Sequence, residues 1–321
     1  MAAGFWELLP QVTVDGLMLG FVYAMVAIGY TMVYGVLEFI NFAHSEIFMV
    51  GAFLGAEFFL VLSKGGLLAG MPHLLVLLLG LIIAMLLTGL LGMGIERVAY
   101  RPLRGAPRLV PLIAAIGVSF VLQDVARAIA TAIHGNFVTG VPSLFPGQAV
   151  ALPGGLSLSV KALLLVASSI LMMGALTAFV QRSRAGKAMR AVAQDPTTAG
   201  LMGINTDGVI TLTFFVGAAM GGAAGTLFAV QYTAVDPYIG FTLGIKAFTA
   251  AVFGGIGRLP GAMVGGILLG LFESYGTAFL GTATGGALGA EYKDVLAFAL
   301  LILILIFKPS GLLGQQVAEK V

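Results

Sequence analysis

The chain contains no cysteine. Disulfides, thiolate chemistry and cysteine-based metal sites are excluded, and the redox compartment leaves no trace. Charge is scarce as well. Of 321 residues only 9% are Asp, Glu, Lys or Arg, while 59% are hydrophobic and the mean hydropathy is +1.06. A soluble domain carries about a quarter charged residues. So few charges cannot cover a globule of this size with a water-facing surface, and most of the exterior must face lipid. The net charge of +2 offers no footprint for nucleic acid. Residues 1–63 hold no Lys or Arg, so the first ten do not read as a cleaved signal peptide. A phosphate-binding G-x-x-x-x-G-K-[ST] run is also missing. Gly186–Lys187 lacks the upstream glycine and follows no strand, and GIGRLP (255–260) places Pro260 where a dinucleotide fingerprint needs glycine. Histidines 44, 73 and 134 are scattered, so no metal is expected, and no nucleophile–base pair stands out. The expectation is a chain that is not an enzyme and has no cofactor of its own.

What is present is a series of long apolar runs. They are continuous rather than alternating, which argues for helices and against a β-barrel. Candidate spans of about the ~20 residues a bilayer requires lie at 12–34, 47–62, 74–94, 109–133, 159–180, 208–230, 241–257, 260–281 and 291–307. The expected fold is a single all-α integral membrane domain over 1–321, a polytopic bundle of about 8–9 spans. The segment 241–257 is short, holds Lys246, Gly254, Gly255 and Gly257, and reads as re-entrant or broken. Basic residues set the orientation. Arg97, Arg101, Arg104 and Arg108 lie in one connection, and Arg182, Arg184, Lys187 and Arg190 in another. The connection 134–160 has none. Placing the N-terminus outside puts 95–108 and 181–207 in the cytoplasm, and, if 241–257 crosses, Arg258, Lys308 and the C-terminus as well.

Glycine numbers 46, and GLMLG (16–20), GAFLG (51–55), GAAMG (217–221), GAMVG (261–265) and GILLG (266–270) repeat the small-xxx-small spacing that lets helix backbones approach closely. The stretch 181–207 reads as two short helices joined at Asp195–Pro196, with Asp195 as N-cap and Pro196 in the first helical position. Gly203 suits the left-handed closing residue, and Thr206 or Asp207 the cap of the next span. Asp15, Glu57, Asp124, Arg127, Lys246 and Glu273 fall at membrane depth, where charges should face the bundle interior or a cavity, usually paired. Asp124 and Arg127 are spaced to neutralise each other on one helix.

Three stretches carry a family resemblance. GYTMVYGVLEFINFAHSEIFMVGAF, ERVAYRPLR with LVPLIAAIGVSFVLQ, and KAMRAVAQDPTTAGLMGIN are similar to the branched-chain amino-acid permease family of ATP-binding-cassette importers, in its LivH-like form. The resemblance covers nearly the whole chain; Ser45 stands where glycine is more usual. It implies a multi-pass subunit of the bacterial plasma membrane, the inner membrane, that moves branched-chain or other neutral amino acids inward. It also implies partners: a second homologous permease, two cytoplasmic ATPase subunits that consume the ATP, and an extracytoplasmic binding protein. In that setting Gly186, Arg190, Asp195, Pro196 and Gly203 belong to the loop that docks on the ATPase. Similar permeases handle urea and short amides. An ion-coupled secondary transporter, with Glu46, Glu57 or Glu273 carrying protons, is the other class to separate.

The polar run FINFAHSEIF (39–48) between the first two spans has two readings. One is a surface turn with Asn41 and Ser45 as caps. The other is a turn tucked into the interior, with Asn41, His44, Ser45 and Glu46 lining or gating a pathway. There Glu46 benefits from the dipole of the second span, and His44 bonds Glu46 or Glu38 or offers a neutral polar edge to a passing amino acid.

Overall fold

The computed structural model describes residues 2–37, 40–107, 109–151 and 157–314; Glu38, Phe39 and Arg108 lie outside the described residues. Eleven α-helices carry the described chain: α1 (Ala2–Leu37), α2 (Ala43–Lys64), α3 (His73–Ile95), α4 (Leu109–His134), α5 (Val160–Arg182), α6 (Arg184–Gln194), α7 (Pro196–Leu201), α8 (Thr206–Tyr232), α9 (Ile239–Gly254), α10 (Leu259–Ala283) and α11 (Lys293–Phe307). Seven are long and apolar enough to cross a bilayer: α1, α2, α3 with its continuation to Leu103, α4, α5, α8 and α10.

Two of the nine expected spans come out short. With 16 and 15 residues, α9 and α11 rise only ~24 and ~22 Å, less than a hydrocarbon core of ~30 Å. The expected 241–257 segment is also displaced. Its helix is Ile239–Gly254, and Gly255 follows it at φ 108°, a left-handed backbone that stops the helix. The all-α expectation needs one amendment. Antiparallel two-stranded pairs join β1 (Thr139–Gly140) to β4 (Ala234–Val235), and β2 (Ala149–Ala151) to β3 (Ser157–Ser159).

Glycine decides which helices touch. The motifs of α1 and α10 face one another in an antiparallel seam: Gly16 meets Leu271, Gly20 meets Ile267, Gly266 meets Ala24 and Gly270 meets Gly20. A methyl group on Gly270 would stand 2.2 Å from the Gly20 nitrogen, so these backbones are in direct contact. Likewise Gly51 of α2 abuts Gly222 of α8, and the Thr226 hydroxyl donates to the Gly51 carbonyl at 3.1 Å. Gly89 and Gly92 of α3 take up Phe215 and Ala218 on another face of α8. The buried centre is thus α8 with α1 and α2, while α4 and α5 remain largely exposed.

Candidate pathway and docking elements

The turn after α1 does not lie at the bundle surface. Asn41, His44, Ser45 and Glu46 are 2%, 1%, 4% and 0% exposed. The His44 ring fills the space left by Gly29 of α1 and lies beside Gly221 of α8. Gly221 is ~22 Å along α8 from Thr206 at ~1.5 Å per residue. The chain therefore doubles back after Leu37, and α2 begins deep inside. Asn41 holds the bend: its side-chain oxygen accepts from the Ala43 amide at 3.2 Å and from the Tyr100 hydroxyl at 2.6 Å.

Ser45 is not an N-cap; the helix already starts at Ala43, and the Ser45 hydroxyl donates back to the Phe42 carbonyl at 2.8 Å. His44 does not bond Glu46. It hydrogen-bonds the Val26 backbone and packs edge-on against Tyr30, with ring centroids 5.0 Å apart, and its Nε2 has no partner among the described residues.

Glu46 instead turns to α4. Oε1 accepts from Gln123 Nε2 at 2.9 Å and from the Ser119 hydroxyl at 3.1 Å. Among the described residues Oε2 has no hydrogen-bond partner, and it packs against Gly240 in the first turn of α9. Gly240 and Gly244 leave room for Glu46 and Ser45, since a methyl group at either would lie under 2.5 Å from those side chains. Between α4 and α9, beside the start of α2, is a cavity of about 280 Å³ lined by Phe42, Ser45, Ile116, Ser119, Phe120, Phe241 and Ile245.

The other intramembrane charges divide. Glu273 is buried and takes three partners: Lys246 Nζ at 2.7 Å, Lys293 Nζ at 3.1 Å and the Tyr23 hydroxyl at 2.6 Å. Lys246 also reaches Asp294 at 2.8 Å. Glu57 of α2 meets His134 at the end of α4, 2.5 Å away. Asp124 and Arg127 pair at 3.0 Å, but their side chains are 71% and 51% exposed. They do not face the interior, because Ser119 and Gln123 already occupy the inward face of α4. Asp15 is exposed too and accepts from Gln11 at 3.1 Å. Among the described residues no group of three His, Asp or Glu side chains could hold a metal ion.

The stretch 184–205 forms a mount of two short, capped helices. Ser183 caps α6 through the Gly186 amide at 2.9 Å. Gly186 allows the chain to pass tightly under the end of α5, where a methyl group would strike the Val180 carbonyl, and Arg190 donates to that same carbonyl. Asp195 ends α6 and caps α7, accepting from the Thr197 and Thr198 amides at 2.9 and 3.1 Å. The Thr198 hydroxyl, ahead of these amides, holds the exposed Asp195 carboxyl below its ordinary range. Pro196 is the first residue of α7. Gly203, at φ 84°, closes it: its amide donates to Gly200 and that of Ile204 to Ala199, the paired pattern of a left-handed helix stop. The next helix is capped by Asn205, which accepts from Gly208 at 3.0 Å, rather than by Thr206 or Asp207.

Asp207 has a different task. With Glu96, which is wholly buried, it binds Arg104, while Arg101 also reaches Asp207 and the Thr211 hydroxyl donates to Glu96 at 2.8 Å. This lock joins the end of α3 to the start of α8. No sequence spacing announces it, since Asp207 is more than a hundred residues from either arginine.

Helices of membrane-spanning length, glycine seams and paired charges inside the bundle define a polytopic helical membrane protein. The family model for the branched-chain amino acid transport system permease component matches residues 12–305, and the chain belongs to that family. It is 45% identical over 319 residues to the high-affinity branched-chain amino acid transport system permease protein BraD of Pseudomonas aeruginosa, covering 97% of each chain. It is 46% identical over 310 residues to the LivH permease protein of Escherichia coli, covering 96% of each. A shorter match, 30% over 154 residues, reaches the LivM permease protein of Escherichia coli and covers 47% of this chain and 33% of that one. No solved structure matches significantly.

Proposed function

We propose that this chain is a permease subunit of an ATP-binding-cassette importer in the bacterial inner membrane, moving branched-chain or other neutral amino acids into the cytoplasm. Two separate ATPase subunits energise it, a second homologous permease completes the membrane core, and an extracytoplasmic binding protein delivers the substrate. The chain itself has no ATPase site.

One observation carries this reading. At the tip of the α6–α7 mount, Leu201 and Met202 are 84% and 79% exposed. An apolar pair on a doubly capped support, beyond the long helices, suits docking by another protein. A secondary transporter has no use for such an element. The match to LivM supports a core of two related permeases, as does the exposed Asp124–Arg127 pair, which is costly against lipid. The cytoplasmic end is assigned by charge: Arg97, Arg101, Arg104, Arg182, Arg184, Lys187, Arg190 and Arg258 cluster at the end of the bundle that carries the mount.

Within this reading the bend at Asn41–Glu46 gates or lines the pathway, and the binding protein sets the order of substrates. The test is reconstitution with the ATPases, the second permease and the binding protein. Asn41→Ala and His44→Ala should slow leucine uptake while assembly and substrate order stay as in the parent. Loss of assembly would make the bend structural, and a changed order would place selection here. Uptake without ATP would overturn the importer assignment.

A further inference from the structure

Resting on the importer reading, we infer that the outward face of α4 is where the second permease sits, with the Asp124–Arg127 pair as the polar contact that a helix of that partner meets. Of the seven long helices, α4 is the least covered by the bundle. Its buried residues, Pro111, Ala115, Ser119, Gln123 and Ala130, turn inward. On the opposite side Gly117, Val121, Asp124 and Ala128 are exposed, at alternating spacings of four and three. That is the rhythm of a helix–helix seam. Nothing lies within 4 Å of a methyl group placed on Gly117, and a residue this small lets another backbone come close.

The charges say what kind of surface covers this face. Asp124 lies ten residues, ~15 Å, along α4 from His134, and fifteen, ~22 Å, from Leu109. The His134 end is itself below the outer end of α2, because His134 meets Glu57, seven residues before Lys64. Long side chains reach the headgroups only from near helix ends, and neither end is near. Asp124 and Arg127 bond each other at 3.0 Å, yet both side chains stay exposed. Lipid tails offer their outer donors and acceptors nothing, whereas a helix carrying polar groups does. Next to this row, Ile116 and Phe120 form one wall of the apolar groove shared with Phe241 of α9. It opens outward and gives an apolar side chain of the partner a place to lodge.

Another copy of this chain suits the face less well than a related permease. Two copies inserted the same way are related by an axis along the membrane normal. Asp124 would then lie level with Asp124, and Arg127 with Arg127, and facing like charges repel. A homologous but non-identical subunit can set a cation level with Asp124 and an anion level with Arg127.

Photo-crosslinking in the complete complex tests the assignment. The photoreactive residue p-benzoylphenylalanine is introduced singly at Val121 or Ala128. For comparison it is placed at Ile82 of α3 or Leu171 of α5, which are exposed on other helices. The second permease carries its own tag. Irradiation in native membranes should join positions 121 and 128 to the second permease at least fivefold more than positions 82 and 171. Asp124→Arg combined with Arg127→Asp keeps a pair within the helix but reverses the pattern shown outward. It should lower recovery of the second permease, per molecule of this chain, at least threefold. Equal adducts from all four positions, adducts with another copy of this chain instead, or full recovery with the reversed pair would overturn the assignment. ATP-driven leucine uptake by the parent complex separates the two failures. Uptake without adducts from α4 moves the interface elsewhere and leaves the importer, whereas absence of uptake removes the importer.

Discussion

Lys246 Nζ stands 2.7 Å from Glu273 Oε1, and this contact ties the short helix α9 to α10. Both side chains are largely withdrawn from solvent, at 12% and 5% exposure. Removing one member of such a pair leaves the other charged and buried, at a cost of ~3–5 kcal/mol. Lys246→Met should fall near the lower end, because Lys293 and Tyr23 still serve Glu273. Lys246→Met combined with Glu273→Met should cost less than the sum of the singles. Thermal unfolding of the four proteins in detergent provides the cycle; additive losses would mean the pair is not coupled.

The α1–α10 seam makes a steric prediction. Gly270→Val forces a side chain into backbone at 2.2–2.6 Å, and neither helix has a flexible group to move aside. Overpacking costs ~1–3 kcal/mol where side chains can yield, so this substitution should lose at least that much and lower the yield of folded protein. Gly174→Val, where nothing lies within 4 Å, is the control and should behave as the parent.

Gly203 separates space from backbone conformation. A methyl group there would meet nothing within 4 Å, yet φ is 84°. Gly203→Val should weaken ATPase association or uncouple transport, and Gly203→Asn should retain most of both, since asparagine visits the left-handed region at small cost. Normal association and transport by the valine variant would detach this loop from coupling.

Asp195 predicts a pH dependence. Its carboxyl is held below the ordinary range by the Thr198 hydroxyl and the Thr197 and Thr198 amides. A depressed folded pKa means that the cap's contribution is complete above the ordinary aspartate range and is lost only as pH falls through the depressed value. Hydrogen–deuterium exchange at Thr197 and Thr198, corrected for intrinsic rates, should therefore stay slow until strongly acid pH. In Asp195→Asn the protection should not vary with pH.

Single cysteines report the orientation. Positions 104 and 184 should resist an impermeant thiol reagent added outside intact cells, and position 136 should react. Reaction at 104 or 184 would invert the assignment.

The long helices were legible because lipid dictates their length: the expected 74–94, 109–133 and 159–180 are α3, α4 and α5 to within two residues. The α6–α7 mount was legible because its devices are local, with Asp195 capping residues two and three positions on. Partners distant in sequence were not. Ser119 and Gln123 are 73 and 77 residues from Glu46, and His134 is 77 from Glu57. The spacing of Asp124 and Arg127 foretold their pairing but not their outward direction, which depends on which face of α4 meets α2. Nor could the run FINFAHSEIF reveal its own depth, because depth is set by Gly29 and Gly221 on two other helices.

The seam between α1 and α10 also bears on how the protein is made. Tyr23 and Glu273 are 250 residues apart in the chain. At a synthesis rate of ~5–20 residues per second, the first helix waits roughly 12–50 s for the helix that covers it. Through that interval the bare faces of Gly16 and Gly20 have only lipid, early helices or membrane chaperones against them. The bundle is closed by nearly its last-made helix, so a nascent chain arrested before Leu259 holds α1 in the membrane without its principal neighbour.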